Sequence, residues 1–382
     1  MPILSIFPGV NVMTSSRARA VAASFALALA ALLFAGLQTT PAEAFSFGKK
    51  KPPPAAPAPP PPEPEIPVGP PVLAGYVISA ASAYVGYMQT TASISPVFTD
   101  GVGVTNALRL GAHSEQHQLQ QGIVAYAGIV ALQDPTFVST LRGFANHAST
   151  RDAMVRYILT DPNYVMTLTG HDTAAGLIVG AMSGQGAKLQ AAGDAMQKAS
   201  LDIQLKAAWS KKAPPNQAQI LADIKQLSSS ALVPTDDLRA QLTQASTGAQ
   251  PMLLNRSVAQ APYTQSVIRG MAIAALAVLG KAGDDDLPNL MPLLVNDGDG
   301  FCFNMSKLNL YQCLSVARPH YENMYCLGLH AMADTGRCVR AAVGQAAPFA
   351  PPPARLTPTA APVAAAASPG DQAALATARL PR

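Results

Sequence analysis

The chain has few charged side chains and few aromatic rings. Charged residues make up 13% of its 382 residues and aromatic residues 6%, and the formal net charge is +4. Binding to nucleic acid would require a basic tract interleaved with aromatic side chains, and no such tract is present. So small an excess of positive charge also creates no large steering field. We therefore expect no nucleic-acid partner.

Sequence motifs of common enzyme classes are also missing. The chain contains no G-x-S-x-G motif, no phosphate-binding loop and no dinucleotide-binding fingerprint. The stretch "NDGDG" (296–300) begins like a calcium-binding loop, but Phe301 interrupts the alternation and no glutamate follows at the required distance. These absences favour a structural or interaction role over catalysis, and no cofactor is expected apart from the metal considered below.

The amino-terminal residues 1–44 predict a secretory signal peptide. Arg17 and Arg19 precede an uncharged apolar run over 21–37, and the small residues of 42–44 suit cleavage near Ala44. This pattern predicts a periplasmic, or otherwise secreted, mature protein. An uncleaved membrane anchor is the alternative, since the apolar run just reaches the lower length limit for a bilayer span.

Proline-rich segments indicate that both ends of the mature chain are disordered. Residues 45–71 form a proline-rich linker, and 346–382 form a tail rich in proline and alanine that has little apolar surface to bury. The intervening chain is long enough for a sizeable core. The break "KKAPPN" (211–216) divides it into two predicted helical domains, 72–212 and 213–345.

Hydrophobic residues recur with helical spacing almost throughout this core, so the fold class is predicted to be all-α, a multi-helix bundle. Asp134, Asp161, Thr235 and Asn216 each precede a helical pattern as capping residues. Eight glycines lie in or beside helical stretches of the first half, which predicts tight contacts between helices. The predicted helices are 72–92, 103–132, 135–147, 150–159, 162–168, 172–211, 217–229, 236–245, 262–281, 303–317 and 319–334.

The first predicted helix, 72–92, lies within an uncharged stretch that extends from Ile66 to Thr99. Its tyrosines, serines and threonines make it more polar than a lipid-facing helix needs to be. We expect a buried core helix. A membrane-peripheral or spanning helix is the alternative, and with it a role in binding lipid or a small ligand.

All four cysteines lie between residues 302 and 338, and their even number predicts disulfide bonds in an exported chain. Cys302 and Cys313 would lie about 16.5 Å apart on one helix, which is too far for a bond. A turn before Pro319 would make two antiparallel helices. Residues that face each other in two antiparallel helices have a nearly constant sum of residue numbers. The nested pairs Cys302–Cys338 and Cys313–Cys326 meet this condition, which predicts this pairing and a C-terminal disulfide-stapled helical hairpin.

Gly336 is expected to end the second helix of this hairpin and to free Cys338 to reach back. The hairpin resembles in outline the twin-cysteine hairpins of the coiled-coil-helix type, although its cysteine spacing differs, and no function is transferred from them. A metal shared by Cys326 and His330 is an alternative use of this region. Zinc-type cysteine pairs and the redox C-x-x-C spacing are missing.

His113 and His117 are the best candidate metal ligands in the sequence. On one helix they would lie one turn apart, a spacing that lets two imidazoles bind the same metal. Their H-x-E-x-H pattern differs from that of zinc peptidases, and Glu115 would point away from the histidine face. His147 or His171 would have to supply a third ligand. The competing interpretation is a polar strip of solvated or hydrogen-bonded histidines.

A polar cluster marks the predicted hairpin turn and contains Arg318, His320, Tyr321 and Glu322. Glu322 would lie in the first turn of a helix, where a carboxylate suits the helix dipole. Local capping explains this cluster, and contact with a ligand or partner is the alternative. The sequence therefore predicts an exported all-α interaction protein with an envelope protein or a cell-wall component as its partner. A metal-binding protein or metal-dependent hydrolase and a lipid or small-ligand binder are the alternatives.

Overall fold

A computed structural model describes residues 63–346, which contain 13 α-helices and no β-strand. The all-α prediction is confirmed. The predicted signal peptide and the predicted disorder of 45–62 and 347–382 lie outside the described residues. The helices are α1 (Gly75–Ala92), α2 (Gly101–Ala112), α3 (Gln116–Ala131), α4 (Pro135–Ala145), α5 (Ala148–Thr160), α6 (His171–Lys206), α7 (Gln217–Leu227), α8 (Asp236–Thr247), α9 (Gln265–Val278), α10 (Leu287–Leu290), α11 (Asp297–Val316), α12 (His320–Cys326) and α13 (Thr335–Ala342).

Most of the predicted helix starts are capped by the expected side chains. Asp134 accepts a hydrogen bond from the Phe137 N–H at 2.7 Å, and Thr235 accepts one from the Leu238 N–H at 3.3 Å. These bonds satisfy amide groups that have no partner inside the helix. Asn216 occupies the cap position of α7 but makes no capping bond with its side chain.

The prediction of one helix over 103–132 is wrong, because the chain breaks between α2 and α3. Glu115 occupies the N-cap position of α3, where its carboxylate accepts hydrogen bonds from the N–H groups of His117 and Gln118 at 3.0 and 2.8 Å. Glutamate is not among the residues that usually cap helices. The sequence therefore gives no strong signal for this break.

Helices α3 and α9 form the centre of the core, and α1 and α6 pack around them. All the described residues, 63–346, belong to one compact unit. Contacts also join the parts before and after 212, where the sequence suggests a division. The Arg109 guanidinium on α2 lies 2.7 Å from the Asp223 carboxylate on α7, and the Gln217 amide donates to the Asn323 side chain at 2.9 Å.

Residues 63–71 of the predicted linker have no regular secondary structure and lie against the helices. The Ile66 N–H donates to the Asn146 carbonyl at 2.6 Å. The Ser149 N–H donates to the Glu63 carboxylate at 3.1 Å, and Val68 packs against the core. The chain therefore enters the folded unit beside the junction of α4 and α5.

The C-terminal hairpin consists of α11 and a continuous helical arm made of α12, a π-helical segment at Leu327–Asp334, and α13. Disulfides join Cys302 to Cys338 and Cys313 to Cys326, which confirms the nested pairing. Cys302 and Cys313 are eleven residues apart, whereas Cys326 and Cys338 are twelve apart. The π-segment absorbs the extra residue, because a π-helix fits more residues into each turn than an α-helix.

The same π-segment aligns two pairs of glycines between α6 and the arm. Gly186 faces Gly336, and Gly193 faces Gly328, so that a methyl group on any of the four would lie 2.5 to 2.7 Å from the facing carbonyl oxygen. The pairs are seven residues apart on α6 and eight on the arm. Close backbone packing is therefore the reason for these helical glycines, and the sequence predicts it for Gly186.

The expected end of the second helix at Gly336 is wrong. The helix continues to Ala342, and Cys338 is part of it. The residue with left-handed backbone angles is Gly344, at φ 74°. Gly336 is needed for its close contact with Gly186 and not for a turn, and sequence alone does not distinguish these two uses of glycine.

Candidate functional site

An exposed apolar groove lies beside the turn of the hairpin, next to the inner disulfide. Its cavity volume is about 500 Å³. Large apolar side chains remain open to solvent here: Leu201 is 53% exposed and Val316 is 72% exposed, and Leu205, one turn further along α6, is 80% exposed. Contiguous exposed apolar surface on a folded protein marks an interaction site more often than isolated apolar residues do. We define the hairpin groove by Leu201, Cys313, Val316, Tyr321, Glu322 and Tyr325.

The two disulfides differ in their exposure. Cys313 is partly exposed and lines the hairpin groove, while Cys326 is buried. Both sulfurs of the outer bridge, Cys302 and Cys338, are buried. The inner bridge therefore joins the two helices beside the hairpin groove, and both of its cysteines line the groove.

The predicted turn cluster supplies part of this groove. The Glu322 carboxylate accepts hydrogen bonds from the Arg318 N–H at 2.8 Å and from the Tyr321 hydroxyl at 3.2 Å. Desolvation raises the pKa of Tyr321, and the neighbouring Glu322 carboxylate raises it further. Tyr321 and Glu322 line the hairpin groove. The same residues therefore make local hydrogen bonds at the turn and line a surface that is open to a partner.

His320 belongs to the packing under the turn. Its ring lies 6.1 Å from the ring of Trp209, and its backbone N–H donates to the Lys212 carbonyl at 3.1 Å. It also packs so closely on Gly101 that no side chain would fit there. Burial lowers the pKa of His320, with Asp100 opposing the shift. We assign His320 a structural part in the turn.

The four candidate metal-ligand histidines lie on different elements. His113 follows the end of α2, whereas His117 is exposed in the first turn of α3, so the expected spacing on a single helix is wrong. His147 precedes α5, and the Nδ1 of His171 bonds the Leu168 carbonyl at 2.9 Å. Across residues 63–346, no group of three or more His, Cys, Asp or Glu side chains is placed to hold a metal ion.

The π-segment and α11 together bring a serine, a histidine and an aspartate close to each other, as in catalytic triads, but the hydrogen bonds differ. His330 Nδ1 lies 2.8 Å from the buried Asp334 carboxylate. The Ser306 hydroxyl donates to the backbone carbonyl of His330 at 2.6 Å. A serine nucleophile would instead have to face the imidazole. This cluster stabilises the π-segment, and the Tyr87 hydroxyl similarly bonds the Ala331 carbonyl at 3.2 Å.

Helix α1 is buried against α3 and lines two neighbouring clefts with α8. The first has a volume of about 400 Å³ and includes His113, and the second has a volume of about 390 Å³. Both are lined by Gln89, Leu238 and Gln241. Among residues 63–346, no helix is long and apolar enough to cross a membrane.

A cluster around the partly buried Lys307 was not predicted from the sequence. Lys307 on α11 donates a short hydrogen bond to the Ser228 carbonyl, and the Ser228 hydroxyl bonds the Tyr311 hydroxyl. Burial lowers the pKa of Lys307 to about 8, against the opposing effect of the Glu115 carboxylate. The one signal in the sequence is the single basic residue of α11, one turn before a tyrosine.

A second buried polar cluster lies at the start of α11. Asp299 is 8% exposed and accepts a short hydrogen bond from the Ser266 hydroxyl. The Asn296 amide in turn donates to the Ser266 hydroxyl at 2.9 Å. Burial raises the pKa of Asp299 despite these bonds and the nearby Arg269 guanidinium.

Comparison with known proteins gives no relative from which a role could be transferred: no protein-family model, curated protein or solved structure matches this chain.

Proposed function

We propose that this protein is an exported, periplasmic interaction protein whose hairpin groove binds an extended, proline-containing and basic segment of an envelope protein. The observation that carries the proposal is the exposed apolar groove on the disulfide-stapled hairpin. The cost of leaving Leu201, Leu205 and Val316 in water is recovered when a partner covers them.

The chemistry of the groove indicates the type of partner. Tyr321 and Tyr325 give it an aromatic lining, and Glu322 gives it a carboxylate. Aromatic-lined grooves suit proline-rich segments, because these segments are already extended and lose little conformational entropy on binding. A carboxylate beside the aromatic rings favours a segment that carries an arginine or lysine.

The inner disulfide supports this role by fixing the groove before a partner arrives. Cys313 on α11 and Cys326 on α12 are directly bonded, so the two helices that form the groove cannot separate. A binding site that is already in its bound shape loses less free energy to ordering.

Exposed positions on α6 and α11 allow a direct test of the binding surface. A fluorescein-labelled Ala-Pro-Pro-Ala-Pro-Pro-Ala-Arg peptide is titrated to millimolar concentration into the mature protein and followed by fluorescence anisotropy. We expect saturable binding that weakens at least tenfold, about 1.4 kcal/mol, in a variant with Leu201→Ser and Val316→Ser. Replacing the peptide arginine by glutamate should also weaken binding of the peptide to the wild type.

The matched control is Leu253→Ser, which removes an equally large apolar side chain from a fully exposed position outside the groove. Its affinity for the peptide should equal that of the wild type. Binding that is unaffected by the groove variant, or equally affected by the control, contradicts the proposed function.

Export rests on the signal-like residues 1–44 and on the two disulfides, which are typical of oxidising compartments. We expect a periplasmic protein whose mature chain begins at Phe45. Mass spectrometry of the purified amino terminus tests this, and an intact amino terminus in a membrane fraction would support the anchor alternative.

Binding of a small ligand or lipid is the second candidate function, because the uncharged helix α1 lines two adjoining clefts. Their amide and hydroxyl side chains favour a neutral polar ligand over a strongly charged one. Gly86 lines the first cleft, and a methyl group added there would lie 3.5 Å from the Leu238 side chain on α8. Native mass spectrometry of the purified protein tests for a bound molecule, and Gly86→Phe should displace it by filling the first cleft.

A further inference from the structure

The last described residues of the chain are held against α6. The Arg340 guanidinium donates one hydrogen bond to the Gln190 side chain on α6 and another to the Gln345 carbonyl, both at 3.0 Å. One guanidinium group therefore fixes the start of the tail beside Gln190. The 36 residues that follow Ala346 begin from this point.

The hairpin groove lies farther along α6 on the same side of the helix. Gln190 and Leu201 are eleven residues apart, which is close to three whole turns and about 16 Å of helix length. A segment that leaves Gln345 and follows this face of α6 therefore reaches Leu201 without crossing the helix.

The tail has the sequence that the groove chemistry favours. It continues as "APFAPPPARLT" over 347–357. A proline-rich segment advances about 3.1 Å per residue, so five residues beyond Ala346 span about 16 Å and bring Pro351 to the groove. With three residues per turn, Phe349, Pro352 and Arg355 share one side of such a segment.

We propose that residues 349–355 of this chain occupy the hairpin groove in the resting protein and compete with the external segment. Phe349 and Pro352 cover the apolar wall at Leu201 and the tyrosine rings, and Arg355 pairs with the Glu322 carboxylate. This inference rests on the proposed function of the groove. A tethered segment acts at an effective concentration of millimolar order, so it lowers the apparent affinity of any external ligand.

The test uses the complete mature chain and a labelled peptide with the sequence of residues 346–357. Its affinity is measured by fluorescence anisotropy for the wild type and for a tail variant with Phe349→Ser, Pro352→Gly and Arg355→Glu. We expect the tail variant to bind the peptide at least tenfold more tightly, because its own tail no longer competes. Adding Leu201→Ser and Val316→Ser to the tail variant should abolish this gain.

The other outcomes separate the two proposals. Equal affinity of the wild type and the tail variant, with binding still lost in the groove variant, overturns tail docking and leaves the proposed function standing. Tail docking is also overturned if the groove substitutions leave the affinity for the 346–357 peptide unchanged, or if no variant binds that peptide. In that case the Ala-Pro-Pro-Ala-Pro-Pro-Ala-Arg peptide described above, titrated into the tail variant with and without the groove substitutions, decides the proposed function separately.

Discussion

The backbone of Gly193 in α6 packs directly on the backbone of Gly328 in the π-segment. A methyl group on Gly193 would lie 2.5 Å from the Gly328 carbonyl oxygen, and one on Gly328 would lie 2.7 Å from the Gly193 carbonyl oxygen. Because the obstacle on each side is backbone, neither helix can relieve the clash by moving a side chain. The hairpin and α6 are therefore held at backbone contact distance.

Gly193→Ala should lower the free energy of unfolding by about 2 to 3 kcal/mol, because it forces α6 away from the arm. Urea denaturation followed by circular dichroism measures this change. Gly184→Ala is the matched control, since Gly184 is on the same helix with nothing within 4 Å of an added methyl group. It should raise the unfolding free energy by about 0.5 to 1 kcal/mol. Equal effects of the two substitutions would show that the glycine contact does not limit the approach of the helices.

Mild reduction should open the Cys313–Cys326 bridge before the Cys302–Cys338 bridge, because only Cys313 is partly exposed to an attacking thiolate. The protein is treated with increasing dithiothreitol, trapped with iodoacetamide and mapped by peptide mass spectrometry. Alkylated Cys302 and Cys338 in molecules that retain the inner bridge would contradict this order.

Removing the inner bridge with the double substitution Cys313→Ser and Cys326→Ser should lower the unfolding free energy by about 3 kcal/mol, on the chain-entropy argument for a loop of this length. Peptide affinity should fall with it, since the groove loses its fixed shape. A stable double variant with unchanged affinity would show that the groove does not depend on the disulfide.

Asp299→Asn should stabilise the protein at neutral pH. Burial raises the pKa of Asp299 above its ordinary value of 3.8, because the folded protein favours the protonated side chain. The contribution of this protonated form to the free energy of unfolding is fully present below pH 3.8. That contribution is lost as the pH rises through the raised pKa of the folded state. The asparagine variant keeps an oxygen that accepts from Ser266 and avoids the buried charge.

Urea titrations of both proteins at several pH values should show a gap in unfolding free energy that widens from about pH 4 upward and then levels off. A gap that is constant from pH 3 to pH 7 would argue against a raised pKa.

Lys307 should react with amine reagents at lower pH than other lysines, because burial lowers its pKa to about 8. Trace labelling with acetic anhydride, quantified by peptide mass spectrometry across pH 6 to 11, gives the midpoint for each lysine. Lys198 is the internal comparison, since its hydrogen bond with Asp202 raises its pKa. Equal midpoints for the two lysines would contradict the assignment.

The metal hypothesis has its own test in the histidines. If the interaction role is right, the purified mature protein should contain less than stoichiometric metal by inductively coupled plasma mass spectrometry, with or without His113→Ala and His117→Ala. Stoichiometric metal that disappears in both variants would replace our proposal by a metal-dependent function.

Sequence reasoning predicted the disulfide-stapled hairpin because cysteine spacing and helix rise impose strict distances. It also predicted the caps at Asp134 and Thr235, where one side chain bonds a nearby amide. The break at Glu115 was missed because an unfavourable capping residue is used there and tertiary contacts outweigh local preference. Prediction also failed at Gly336, where the partner that requires a glycine lies 150 residues away on α6.

The hairpin groove was only partly predictable. Tyr321 and Glu322 stood out as polar residues at a turn, but Leu201 lies on another helix with the ordinary periodicity of an amphipathic face. Its exposure depends on which faces of α6 the other helices cover, and this is set by the assembled fold. The lysine cluster was missed for a similar reason, since Ser228 meets Lys307 only across the packed helices.

The position of Trp209 has a practical consequence for spectroscopy. It is the single tryptophan of the chain, and its ring lies beside the His320 ring under the hairpin turn. Intrinsic emission therefore samples one corner of the molecule, several helices away in sequence from the buried α3 and α9. A ligand that perturbs this corner will change the colour of the protein's fluorescence without any label, while far-ultraviolet dichroism continues to report on the helices as a whole.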